Sequence, residues 1–378
     1  MQFKDVVGHD DLKRKMLRSI SDNRVSHAQL FYGPEGTHKL GLVLAYAQYL
    51  NCENPSETDS CGICPTCIKY NNFAHPDLHF IFPTVNVSSS DKSTSENYTE
   101  KWISYLKSNH AHVSLSSWVT YAWEENKRAS ITVRDASRMI EKINLKTYEG
   151  KLKVFVVWMV EKWFHAAAPK LLKTIEEPPA NSLILMITED YENVLNTIRS
   201  RSQLIKIFKY PNDIIRNTLV DKYEVSAAKA ANIARYVNGN FYKALEESKE
   251  ISDFDNTSNY IDMMRSAFQV MQKGGGIDNL DKWVIKISKK SRDEQINFLK
   301  YSIELTRQNF IKGVDESMVS ASEEEMGFMK NFSPFINSKN IDFIFNELNK
   351  SILHIERNGY SLVIFMDMVL RIGSVLKR

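Results

Sequence analysis

Twelve residues, "FYGPEGTHKLGL" from Phe31 to Leu42, carry the residue types of a phosphate-binding loop in a form that lacks two working parts. Such a loop reads G-x-x-x-x-G-K-[ST]. Its backbone N–H groups cradle phosphates, its Lys reaches the terminal phosphates and its hydroxyl holds Mg²⁺. Gly33 and Lys39 are in register, with Gly36 between them, but His38 stands at the second glycine and Leu40 at the hydroxyl. Hydrolysis further needs a carboxylate at the tip of a neighbouring strand to hold the metal and the attacking water. In "VFVVWMVEKW" that place is taken by Trp158 and Met159, and Glu161 comes two residues too late. Loop flexibility, hydroxyl and acid fail together, so the chain is expected to turn over no ATP. Gly33, Gly36 and Lys39 then form a degenerate loop to which no cofactor is assigned.

The second chemical cluster is metal-like. All four cysteines fall between residues 52 and 67, spaced C-x8-C-x2-C-x2-C at Cys52, Cys61, Cys64 and Cys67. Thiolates two residues apart on a tight turn can share one tetrahedral ion, and Gly62 and Pro65 suit such turns. Cys52, at the end of the preceding helical stretch, would close the fourth corner. The expected occupant is zinc in a structural role, because four protein ligands leave no open position for catalysis. A ferredoxin-type run would place its next ligand after three residues with a Pro, which is absent here. The remaining alternatives are four reduced thiols, or His75 of "FAHPDLHF" as a substitute ligand against its reading as a turn or core residue.

The surrounding elements must position these groups. "AQLFYG" reads as a buried strand entering the glycine loop, and "GLVLAYAQYLN" follows at helical spacing. "KVFVVWM" (Lys153–Met159) and "SLILMIT" (Ser182–Thr188) read as two further buried strands, the latter after a helix stopped by the prolines of "IEEPP". Strands alternating with helices indicate a parallel α/β sheet. Beyond Pro211 the pattern is helical, broken at "VNGN" and "KGGG". Residues 86–98 are rich in Ser, Thr and Asn and read as a loop. The aromatics that follow, Trp102, Tyr105, Trp118, Tyr121 and Trp123, suit either a local core or a stacking surface for single-stranded bases. The basic run "KWVIKISKKSR" reads as a solvated helix face.

Composition narrows the class. With 378 residues, 43% hydrophobic and 25% charged, the chain is long enough for two or three globular domains. A formal net charge of +3 gives no global basic field, so any contact with nucleic acid would be local. No apolar run approaches the roughly 20 residues of a membrane span. The opening "MQFKDVVGHDDLKRK" has no secretion-like apolar segment. A cytoplasmic, soluble chain without a membrane partner is expected.

Taken in order, "HAQLFYGPEG", the four cysteines, "HPDL", "ITVRDASRMI", "AAAPKLLKTIEEPPANSLILMITED" and "TIRSRSQ" resemble the bacterial clamp-loader AAA+ family. "LLKTIEEPP" and "TIRSR" are the specific segments, and the likeness is fullest over residues 1–210. The resemblance implies an AAA+ α/β core at 1–210, a parallel sheet with flanking helices, carrying the zinc module (52–67) and an insertion (86–130). It further implies a helical lid at 211–250 and an all-α collar at 251–378, where "HIERNGYSLVIFMDMVLRI" is similar to the family's collar helices. In that family a Ser-Arg-Cys segment presents an arginine finger to ATP on a neighbouring subunit. Here it matches Ser200, Arg201 and Ser202, so Arg201 would serve in trans; the competing reading is that Arg201 and Arg199 only form surface ion pairs. Tyr242 stands where ATPase members carry a lid arginine, and Thr188 where they sense the γ-phosphate; without nucleotide Thr188 would only cap a turn. Implied partners are gamma/tau ATPase subunits, the delta subunit, the sliding clamp and, through the assembly, primed DNA. The chain would then be a non-hydrolysing subunit of a DNA-directed DNA polymerase (nucleotidyltransferase) holoenzyme. The alternatives are an AAA+ ATPase of replication or repair with an unorthodox nucleotide site, or a relative of the recombination ATPases.

Overall fold

The computed structural model describes every residue except 86–93, 124–128, 164–167, 250–255, 316–318, 320, 322 and 377–378. Most of the polar stretch 86–98 therefore lies outside the described residues. The chain divides into two compact units: Met1–Val225 with Val237–Glu247, and Ser226–Tyr236 with Ser248–Arg378. The segment 211–250 is thus shared between them.

The first unit is built on five strands, β1 (Ala28–Tyr32), β2 (Leu78–Ile81), β3 (Lys153–Trp158), β4 (Ser182–Thr188) and β5 (Gln203–Lys206), in the order β2-β3-β4-β1-β5. Every pairing is parallel. The three central strands are the apolar runs of the sequence, buried on both faces as a helix-covered parallel sheet requires. Around them lie α1 (Asp10–Ser21), α2 (Lys39–Asn51), α3 (Pro65–Asn71), α4 (Thr99–Ser108), α5 (Leu115–Trp123), α6 (Val133–Ile143), α7 (Ala168–Glu176) and α8 (Asn196–Arg199). Local chemistry sets their ends. Thr132 Oγ1 accepts from Asp135 N at 3.3 Å and Asp135 Oδ2 accepts from Thr132 N at 2.8 Å, a reciprocal cap that starts α6. Pro178 and Pro179 follow α7 and end it.

Three helices follow: α9 (Asn212–Tyr223), α10 (Ala227–Tyr236) and α11 (Phe241–Lys249). The second unit is all-α, with α12 (Asn256–Lys273), α13 (Ile277–Ser288), α14 (Arg292–Val314), α15 (Glu323–Phe332), α16 (Ile341–Glu356) and α17 (Ser361–Val375). Its core gathers Tyr260, Trp283, Phe298, Leu348 and Phe365. In α13 the apolar face, Leu280, Trp283, Val284 and Ile287, is buried, while Lys282 and Lys286 of the basic run face outward. Arg235 of α10 pairs with buried Glu325 at 2.5 Å, and Tyr301 Oη donates to the same carboxylate at 2.6 Å. Among the described residues no helix is long and apolar enough to cross a membrane.

Candidate functional site

In a parallel α/β sheet, ligands bind beyond the carboxyl ends of the strands. There β1 delivers Gly33 to His38, β3 delivers Trp158, and β4 delivers Thr188 and Glu189; in register, Tyr32 faces Thr188 and Trp158 faces Ile187. The sequence-predicted loop residues do converge at this edge. They are engaged with protein.

Gly36 has φ +74°, a left-handed conformation, and a Cβ there would collide with Asn240 Oδ1. Phe241 N, at the start of α11, donates to Gly36 O at 2.9 Å. His38 holds the conformation that a glycine would take, with φ 53° and ψ 32°. For a residue with a Cβ this costs on the order of 1–2 kcal/mol. Its ring is buried: Nε2 donates to His110 O at 3.1 Å, and the ring stacks on His112 with centroids 3.6 Å apart. Burial lowers the His38 pKa to about 4, so the ring is neutral at physiological pH.

Lys39 is only 4% exposed. Its ammonium donates to Pro34 O at 2.5 Å and Thr37 Oγ1 at 3.3 Å, and pairs with Glu189 Oε1 at 3.5 Å. Burial pushes the Lys39 pKa down and raises that of Glu189 to about 7. The lysine that would meet a triphosphate is thus spent on the loop itself and on a buried carboxyl. Between Gly36–Leu40, Ala111–Val113, Trp158, Glu189 and Tyr242 a cavity of only about 10 Å³ is left. That is room for about one water.

The tip of β3 explains the lack of space. Trp158, 2% exposed, packs on Trp102 of α4 with centroids 5.0 Å apart. Trp102 stacks on Phe82 at 4.5 Å and meets Trp118 of α5 edge-on at 4.9 Å. Trp118 Nε1 donates to Pro83 O at 2.9 Å. Trp102, Tyr105 and Trp118 are therefore core residues and are not presented to bases. Glu161 is turned to the backbone after β4, where its Oε1 accepts from Glu189 N at 3.1 Å. Thr188 Oγ1 accepts from Asp190 N at 3.1 Å, which caps the turn after β4.

The cysteines form a second site. Cys52 follows α2, Cys64 caps α3 and Cys67 lies within it, and all four Sγ atoms lie within 4.8 Å of one another. No disulfide joins them. Cys61 N donates to Cys52 Sγ at 3.2 Å, Cys64 N to Cys61 Sγ at 3.4 Å and Cys67 N to Cys64 Sγ at 3.4 Å. Such N–H···S bonds stabilise thiolates, as a metal site needs. The backbone N–H groups of Ile63 and Cys64 lower the Cys61 pKa to about 6, whereas burial raises those of Cys52 and Cys67. Four thiolates about 2.3 Å from one ion fit a closed tetrahedral zinc site. His75 is not among the ligand set; its Nδ1 accepts from Asp77 N at 3.1 Å and its ring lies 4.7 Å from that of Tyr70. Lys151 Nζ donates to Cys52 O at 2.6 Å, and Lys69 pairs with Glu149 at 2.5 Å, tying the module to the sheet.

Arg201 follows α8, at the opposite edge of the sheet from β2. It is ion-paired with Glu176 at the end of α7, and its Nη1 donates to Thr197 O at 3.1 Å and Ser200 Oγ at 3.3 Å. Its side chain keeps 34% of its exposure. Arg199 lies over the Tyr191 ring at 4.8 Å and within 3.3 Å of Glu192. In the isolated chain both arginines have protein partners. Sequence reasoning missed Glu176 as the partner of Arg201 and His110–Val113 as the filler of the loop pocket. Neither carries a spacing signal, because both contacts are made across the fold.

A five-stranded parallel AAA+ core, with a degenerate phosphate loop at its ligand edge and a four-cysteine module after α2, defines the class of protein. The sequence model of the family described as DNA polymerase III, delta subunit, matches residues 8–211, and the chain belongs to that family. The chain is similar to DNA polymerase III subunit delta' of Bacillus subtilis (strain 168), 26% identical over 234 residues, covering 62% of this chain and 57% of the relative. It is 27% identical over 192 residues to subunit delta' of Escherichia coli (strain K12), covering 50% and 45%. To subunit tau of Salmonella typhimurium it is 24% identical over 199 residues, 53% of this chain but 24% of that protein. The chain thus spans from a quarter to just over half the length of these relatives.

Proposed function

We propose that this chain is a non-hydrolysing, delta-prime-like subunit of the DNA polymerase III clamp loader. It would assemble in the cytoplasm with gamma/tau-type ATPase subunits and a delta subunit, help place the sliding clamp on primed DNA, and complete a neighbour's ATP site with Arg201. The observation that carries the reading is the filled loop pocket: about 10 Å³ beside a Lys39 already paired with Glu189. Phosphoryl transfer rests on a positioned metal and its ligands, and here the hydroxyl and carboxylate positions are Leu40 and Trp158. The same chain keeps a partly exposed arginine in the family's finger segment. A guanidinium offered in trans stabilises transition-state charge, worth about 10³–10⁵ in rate. Replacement of the family's Cys by Ser202 leaves that group untouched. Zinc at Cys52, Cys61, Cys64 and Cys67 holds structure in this reading and takes no part in turnover.

The test is reconstitution with companion ATPase and delta subunits, following single-turnover phosphate release. Arg201→Ala should abolish the phase belonging to the adjoining ATP site, and Arg201→Lys should not restore it, because the forked geometry is lost. Unchanged release in Arg201→Ala would refute the trans role. Magnesium-dependent hydrolysis by the chain alone, lost on Lys39→Ala, would instead establish the alternative of an ATPase with its own unorthodox site.

A further inference from the structure

The stretch between residues 94 and 123 reaches each element that a nucleotide would bridge in a hydrolysing member of this fold. At the phosphate loop, His110 O accepts the His38 Nε2 proton at 3.1 Å and the His112 ring stacks on His38 at 3.6 Å. At the tip of β3, Trp102 packs on Trp158 at 5.0 Å. On α11, the Phe241 ring lies 5.3 Å from that of His112. His112 therefore sits between α2 and α11, touching the first residue of α11 on one side and the cap of α2 on the other.

The segment is anchored at its start. Ser95 N and Oγ donate to buried Asp135 Oδ1 at 2.7 and 2.8 Å. Its inner turn is held in an unusual conformation: His110 and Ala111 both have positive φ, 48° and 57°, beside His38 at 53°. Three left-handed non-glycine residues, two of them joined by the His38 Nε2–His110 O bond, persist only where surrounding contacts fix them. Ala111, His112 and Val113 are all buried.

We propose that residues 94–123 act as a built-in occupant of the nucleotide pocket, coupling the phosphate loop to α11 in the absence of any ligand. The segment performs in cis the bridging that a triphosphate performs elsewhere, so α11 holds one position whatever the nucleotide concentration. The inference shares the filled pocket with the functional reading above and does not depend on Arg201.

Hydrogen exchange on the full-length, zinc-loaded chain tests it. In His112→Ala the amides of 33–40 and 241–247 should exchange at least tenfold faster, while 52–70 and the second unit keep their rates. His112→Phe, which retains a ring between His38 and Phe241, should restore protection. Adding ATP with magnesium to the wild-type chain should change nothing. Unaltered protection of 241–247 in folded His112→Ala, or slower exchange there when ATP and magnesium reach the wild-type chain, would overturn the proposal. A failed Arg201→Ala experiment leaves these exchange rates as they are, so the two readings fail separately.

Discussion

Replacing Trp158 by the residue that hydrolysis requires should damage the fold without producing an enzyme. Trp158 is 2% exposed and packs on Trp102 at 5.0 Å. Truncating a buried Trp to a small side chain costs about 3–5 kcal/mol. In Trp158→Asp the new carboxyl would also lie beside Lys39, whose ammonium is already held by Pro34, Thr37 and Glu189. A buried polar group left without a partner costs a further ~1–3 kcal/mol. The loss is on the order of 5 kcal/mol, a large part of the roughly 5–15 kcal/mol that stabilises a folded domain. At about 2–4 °C per kcal/mol for a unit of this size, its transition should fall by at least ~10 °C. Calorimetry resolves this, because the second unit's transition serves as an internal reference; Trp158→Phe, which keeps an aromatic ring, should fall much less. Even with His38→Gly and Leu40→Thr added, no ATP turnover should follow, since His110–Val113 still fill the pocket. An unshifted transition in Trp158→Asp, or hydrolysis by the triple variant, would refute the packing argument.

Cys64→Ser removes one corner of a site of a kind worth roughly 10–16 kcal/mol in finger peptides. Bound zinc should fall well below one per chain and residues 52–70 should be cleaved faster by protease; full zinc occupancy in the variant would count against a four-thiolate site. A different dependence comes from acid. Burial holds both His38 and His79 neutral down to about pH 4. From about pH 6.5 to 4 the unfolded chain binds protons that these rings refuse in the fold, so stability decreases as acid is added and is flat with respect to them above that window. For fully buried His38 the full effect is about 3 kcal/mol. His38→Asn, which tolerates the left-handed backbone, should flatten the pH dependence of the urea midpoint between pH 6.5 and 4 by up to one proton; an unchanged slope would refute the assignment.

How much of this was legible in the sequence depended on the range of each contact. β1, β3 and β4 announced themselves as apolar runs because both their faces are buried. β2 and β5 did not, and the reason is their place in the sheet. "LHFI" and "QLIK" are four-residue edge strands, and Gln203, Leu204 and Lys206 remain exposed. The thiolate set was legible because its geometry is written in local spacing. The partners of Lys39 were not. Glu189 lies 150 positions away in the chain, and His110 and His112 lie in a stretch whose aromatics suited a core or a stacking surface without saying against what.

Trp158 shows most clearly where the sequence argument stopped short. Read alone, it is a missing carboxylate. Read with Trp102, it is one half of a contact, and the two departures at this site become a single change. A large indole at the tip of β3 in an open cleft would leave apolar area in water, and fully burying a large apolar side chain stabilises by about 1.5–3 kcal/mol relative to leaving it exposed. Trp102 of α4 supplies that cover, and Ala111–Val113 of the same stretch line the small cavity beside Lys39. Loss of the acid and loss of the pocket are thereby locked to each other. A carboxylate placed at position 158 would set an unpaired polar group against Trp102, while deleting residues 94–123 would leave Trp158 uncovered. Neither change alone should therefore open a nucleotide site, and the loop is held in shape by Asn240, His112 and Glu189 around it.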